Sequence, residues 1–162
     1  LVSIRPNAGA TVVRLSPEDV EDSLEILIGL ESIGAERAAE RATPEMIEEI
    51  AELDTRMVEA FERRELMDYF HINQDIHQKI IDAAQNEALS RVYSSESARI
   101  RRFRFAGNRD HARWAQAVAE HAQILEALRR RQGPLLRELL RAHHRAGWKI
   151  ARKALETPEP TD

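Results

Sequence analysis

Asn73, His77, His121 and His143 are the residues of this 162-residue chain whose types and spacing could do chemistry together. In INQDIHQKII, residues 72–81, the phase Phe70, Asn73, His77, Ile80 or Ile81 and Ala84 is the three-and-four spacing of a core-facing helical stripe. That stripe points an amide and an imidazole inward, where an unpaired polar group costs roughly 1–3 kcal/mol. His121 shares a face with Val118, Leu125 and Leu128, and His143 with Leu136, Leu140, Gly147 and Ile150. Three helices thus each place one imidazole in the core. Either each ring finds its own hydrogen-bonding partners, or the three share a divalent ion, for which neutral imidazole is a good ligand. Asn73, one turn before His77, could offer its carbonyl oxygen to that ion or orient a bound water. His71 faces away from Asn73, His111 begins a helix, and His144 shares a face with Arg137, Arg141 and Trp148; the sequence assigns all three to the surface.

The elements that must position these groups are helical. Charged residues make up 32% of the chain and aromatics 5%, with six Gly and six Pro, a composition that suits a helical bundle better than a β-sandwich. Ser16-Pro17-Glu18-Asp19 and Thr43-Pro44-Glu45 supply caps, first-turn prolines and acids for two helix starts. The first helix runs toward Ala42 with Val20, Leu24, Leu27 or Ile28 and Glu31 in phase, and the second carries Met46, Ile50, Leu53, Met57 and Phe61. The third is expected over 66–85, the fourth after Asn86, and a break at Gly107-Asn108 precedes the fifth, over 110–131. Gly133-Pro134 separates that from a sixth ending near Leu155. The expected fold is all-α, an antiparallel bundle of about six helices. Residues 1–15 alone have strand character: Leu1–Arg5 and Thr11–Leu15 flank the turn signal Pro6-Asn7-Ala8-Gly9, a short hairpin that forms the edge of something else or an arm docked on the bundle.

Cysteine is absent, so any metal site must be built from His, carboxylate or amide. No apolar run approaches the roughly 20 residues of a membrane span, and no signal-peptide pattern opens the chain; a cytoplasmic location is the expectation. Net charge is −4, so the molecule as a whole is not an electrostatic nucleic-acid binder. The arginines at 101–104 and 129–131 read as solvated faces.

Several elements together resemble the FCD effector-binding domain of GntR-type bacterial transcription regulators, in the FadR subfamily. Asn73-Gln74-Asp75-Ile76-His77 is similar to the family's Asp or Asn, three residues, then His; Asn86–Leu89 is similar to its Asn-x-x-Leu. Glu120-His121-Ala122-Gln123-Ile124-Leu125 matches its Glu-His-x-x-Ile-Leu, and His143 its last ligand. The resemblance implies a divalent metal, zinc, nickel or similar, held by His77, His121 and His143, with Asn73 where Asp often stands. It implies a small carboxylate metabolite as effector; because Leu27 departs from the family at a position where many members carry Arg, either the effector differs or its carboxylate is met by Arg101 or Arg104. It also implies that residues 1–15 are the remnant of a winged-helix wing and linker, that 16–157 form the effector-binding domain, and that 158–162 are a disordered tail. The intact regulator would then bind operator DNA as a homodimer through the N-terminal domain that precedes residue 1, and this chain alone would not.

Two rival readings accompany it. A helical metalloenzyme could use the same three imidazoles, with Asp75 or Glu120 as general base, although the chain has no His-Glu-x-x-His. A metal-free dimerisation bundle would satisfy each histidine internally.

Overall fold

The computed structural model describes residues 2–5, 9–12, 15–106 and 111–156, with backbone alone at the two strands, at Ala106 and at 154–156. The Pro6–Ala8 turn, the Gly107-Asn108 break and the 158–162 tail lie outside the described residues. Strands β1 (Val2–Arg5) and β2 (Gly9–Val12) pair antiparallel, Val2 opposite Val12 and Arg5 opposite Gly9. The second strand therefore begins two residues before Thr11. Among the described residues the two strands contact each other and no helix.

Six helices follow: α1 (Pro17–Arg41), α2 (Pro44–Glu62), α3 (Leu66–Asp82), α4 (Glu87–Ala106), α5 (His111–Arg129) and α6 (Gly133–Glu156). Local chemistry fixes their starts. Ser16 and Asp19 form a reciprocal capping box, Asp19 N–H donating to Ser16 Oγ at 3.1 Å and Ser16 N–H to Asp19 Oδ2 at 2.8 Å. Thr43 Oγ1 accepts from Met46 N–H at 3.3 Å, and Asn86 Oδ1 from Leu89 N–H at 3.2 Å. The stops differ from expectation. Arg64, Gln85 and Arg131 take positive φ of 59°, 52° and 58°, the left-handed turn that glycine usually supplies. At the end of α5, Gln132 N–H reaches Ala127 O at 2.9 Å and Arg131 N–H reaches Leu128 O at 3.0 Å, so the last carbonyls are satisfied without a glycine.

Gly133 does not separate helices; it is the first residue of α6. A Cβ there would lie 3.3 Å from Glu36 Cα, so the missing side chain lets α6 start close against α1. Gly34 serves a similar purpose between α1 and α3, since a Cβ would overlap the Ile81 side chain. That close approach sets the register of Glu31, one turn before Gly34, over His77, one turn before Ile81.

The apolar interior has two parts. Ile50, Met57, Tyr69, Ile76, Ile124 and Leu128 centre the larger, on α2, α3 and α5. Val20, Leu24, Leu27, Tyr93 and Ile100 centre the other, between α1 and α4. The buried polar groups bridge the two, with Asn73 against Met57 on one side and Glu31 bonded to Tyr93 on the other.

Candidate metal centre and adjoining cavity

Each histidine of the centre is carried inward by an apolar helix face. On α3 the buried neighbours are Phe70, Ile76 and Ile80; on α5, Trp114, Ala117, Ile124 and Leu128; on α6, Leu136 and Leu140. The rings of His77, His121 and His143 meet with centroids 4.7–5.2 Å apart, and one ring nitrogen of each lies within 4.8 Å of the others. His77 is fully buried, and His121 and His143 nearly so.

The partners behind two of these rings determine which nitrogens face inward. His77 Nδ1 lies 2.8 Å from Glu31 Oε1, and His143 Nδ1 lies 2.7 Å from Glu120 Oε2. An ionised carboxylate only accepts, so both Nδ1 atoms carry the proton and both Nε2 atoms hold a lone pair. His77 Nε2 is buried with no hydrogen-bond partner. A carboxylate clamping one nitrogen while the other is left for an ion is the usual support of a metal-ligating histidine. His121 differs: its Nε2 faces Asn73 Nδ2 at 2.9 Å, and its Nδ1 has no partner. Asn73 Oδ1 accepts from Gln74 Nε2 at 3.3 Å, so in this arrangement Asn73 orients His121, and a half-turn of the amide would exchange its nitrogen for its oxygen.

Burial acts first on the titration of these groups. It pushes His121 well below the ordinary histidine range, His143 down to about 3 and His144 down to about 4, which keeps these imidazoles in the neutral, ion-binding form at neutral pH. Burial also works to raise Glu31, but His144 and His77 outweigh it and hold the carboxyl well below its usual range. Burial likewise opposes ionisation of Glu120, and His143 and Arg113 prevail.

Glu31 is the residue on which most of these contacts converge. Besides His77 it accepts from Tyr93 OH at 2.8 Å, and its second oxygen lies against His144 Nε2. His144 is thus buried, not on the surface as its helical phase suggests. α6 packs against α1, α4 and α5 and therefore buries an arc wide enough to take both 143 and 144. Glu31, His77 and His144 also lie within 4.8 Å as a second set of ligand atoms. His71 and His111 are exposed, as expected, and His111 stacks on Phe61 at 4.9 Å.

Beside the centre lies a cavity with about 520 Å³ of unfilled space counted out to its mouth. Its polar wall comprises Asn73, Gln74, Arg104, Arg113, His143 and His144; Val20, Leu24, Ile100 and Trp148 form the apolar one. Arg104 Nη1 donates to Gln74 Oε1 at 2.8 Å and to Ser97 Oγ at 3.4 Å. Arg101 is exposed and does not line the cavity. Arg113, which sequence reasoning passed over, takes a place on the wall: 4% exposed, it donates through Nη2 to Glu120 Oε2 at 2.8 Å and to His143 O at 3.3 Å. Asp75 is exposed, and Glu120 is engaged by His143 and Arg113, so neither is placed as a free general base.

Residues 22–146 match the FCD domain family. The chain is 24% identical over 143 residues to the HTH-type transcriptional repressor RspR of Escherichia coli (strain K12), and equally to the HTH-type regulator YdfH of Shigella flexneri. Each match covers 88% of this chain and 63% of the relative, so the chain spans less than two thirds of the relatives' length. Among solved structures, McbR/YncC of E. coli superposes with a TM-score of 0.82 at 18% identity, over 94% of this chain and 77% of that one. Lar, which controls expression of the Listeria monocytogenes agr system, gives 0.80 at 16% identity, over 94% and 73%. A GntR family member from Pseudomonas syringae pv. tomato gives 0.70 at 19% identity, over 96% and 65%. RspR and YdfH both carry the name of HTH-type transcriptional regulators. The chain belongs to the FCD domain family.

Proposed function

We propose that this chain is the ligand-sensing domain of its regulator, holding a divalent ion on His77, His121 and His143 with Asn73 beside it, and a small carboxylate effector in the adjoining cavity. The observation that carries this reading is the convergence of three imidazoles, two of them clamped from behind by Glu31 and Glu120, at the wall of a cavity that also holds Arg104 and Arg113. The donor set suits zinc, nickel or a similar borderline ion. When bound, such an ion supplies positive charge and a coordination position for an anionic ligand. The protein's own groups do the rest: Glu31 and Glu120 fix the ring tautomers, Asn73 orients His121, and the arginines attract the carboxylate.

In the same reading, residues 1–15 are the end of a winged-helix domain and its linker, and the full-length regulator works as a cytoplasmic homodimer that binds operator DNA through the winged helix. Among the described residues no helix is long and apolar enough to cross a membrane. Effector binding changes DNA affinity only through unequal affinity for two arrangements of the helices.

The test is metal analysis of the purified chain, then thermal unfolding with and without chelator, with zinc or nickel restored, and with small carboxylates added. One ion per chain and a carboxylate response that requires the ion are expected. Failure to bind any divalent ion, with unfolding indifferent to chelator, would leave the metal-free dimerisation bundle as the better description.

A further inference from the structure

The cavity beside the histidines holds two buried N–H donors that have no partner among the described residues. One is Nη1 of Arg113, whose side chain is 4% exposed and whose Nη2 alone is engaged by Glu120 and His143. The other is Nε1 of Trp148, which also lines the cavity. Buried donors in native proteins are nearly always satisfied, so two left open around one cavity mark the places where a ligand's acceptors sit. Gly147 keeps the space around them clear, since a Cβ there would meet nothing nearer than Arg113 Nη2 at 4.0 Å.

Charge narrows the ligand further. Arg104 and Arg113 on the wall are matched in number by Glu31 and Glu120 behind the histidines, so the surroundings are near neutral by themselves, and a divalent ion on the histidines adds two positive charges. A ligand with two negative charges restores balance. The apolar lining, Val20, Leu24 and Ile100, suits a short hydrocarbon link. We propose that the effector is a short aliphatic dicarboxylate, one carboxylate seated on Arg113 beside the histidines and the other accepting from Trp148 Nε1. This rests on the carboxylate-sensing reading above.

The experiment is calorimetric titration of the zinc-loaded chain with matched pairs of probes, succinate against butanoate and glutarate against pentanoate. One dicarboxylate should bind about tenfold or more tighter than its partner, the usual size of a hydrogen bond to a charged group. Trp148→Phe keeps the ring packing and removes the donor; it should cut that preference to near one while leaving the monocarboxylate unchanged. Gly147→Val, which puts bulk into the cavity against Arg113, should abolish binding of both members of a pair and serves if Trp148→Phe fails to fold. Equal binding within each pair, or retained binding in Gly147→Val, overturns the proposal and leaves carboxylate sensing intact. No binding by any probe, with zinc bound, overturns both.

Discussion

Glu31 Oε1 lies 2.8 Å from His77 Nδ1 and accepts Tyr93 OH at the same distance, so one carboxylate of α1 sets the tautomer of a candidate metal ligand on α3. Glu31→Gln preserves volume but replaces one of two strong acceptors with an amide that competes as a donor. Affinity for zinc is expected to fall about 10–100-fold, the usual cost of losing a partner behind a ligand. Competition against a chromophoric chelator measures this, with circular dichroism as the control for folding. Unchanged affinity would separate Glu31 from the centre.

Removing His77 should act on the ion more than on the fold. With free zinc at a hundred times its dissociation constant, binding adds about 2.7 kcal/mol of stability. At roughly 2–4 °C per kcal/mol for a chain of this size, zinc is expected to raise Tm by about 5–10 °C. His77→Ala should erase that increment, whereas His71→Ala, on the exposed face, should keep it. Scanning calorimetry of the three proteins with and without zinc decides the matter; an equal shift in all three would place the ion elsewhere.

Acid should destabilise the metal-free chain. His143 and His144 are pushed down to about 3 and about 4 in the fold against about 6.5 when unfolded, so on acidification the unfolded chain takes up protons first. Their contribution to stability is fully present above about pH 6.5 and is lost progressively toward pH 3. Each pH unit is worth up to about 1.4 kcal/mol per group, or ~2 kcal/mol per imidazole between pH 6.5 and 5. Glu31, held low in the fold, adds a loss of the same sign below its ordinary range. Urea unfolding in chelator at pH 8, 6.5 and 5 measures the slope, and stability flat across that range contradicts the prediction.

Gly34→Ala brings the new Cβ onto Ile81 Cδ1 alone, with the next atoms at 3.6 and 3.7 Å, so its cost is that of displacing one methyl of a fully buried side chain. Overpacking of this kind typically costs about 1–3 kcal/mol. Ile81→Ala alone destabilises by opening a hole, but in combination with Gly34→Ala part of both losses should return. A double-mutant cycle in urea tests this, and strict additivity would mean that the two side chains do not share the space.

The inward histidines were legible because an imidazole on an apolar stripe stands out against Leu and Ile, and the phase of α3, α5 and α6 is set by those neighbours. Glu31 carried a comparable signal, an acid in line with Val20, Leu24 and Leu27, but a glutamate is so common on helix surfaces that its burial depends on knowing what faces it. His144 and Arg113 were hidden for a different reason. A single stripe assigns each helix one partner, whereas α6 touches three other helices and α5 presents Arg113 to a cavity that exists only once α6 is in place. The helix starts were readable from Ser16, Thr43 and Asn86, whose side chains make the caps. The stops at Arg64, Gln85 and Arg131 were not, because those residues adopt a backbone turn that their types do not favour.

The grip of three neighbours on Glu31 makes α1 a rod pinned near its middle. His77, Tyr93 and His144 reach it from α3, α4 and α6, so it cannot slide without disturbing all of them together. With a rise of about 1.5 Å per residue, Ser16 lies roughly 22 Å from that pin, and a tilt of about 5° would sweep the leading end through ~2 Å. Small adjustments around the imidazoles are thereby geared up at the point where the chain leaves the bundle toward β2.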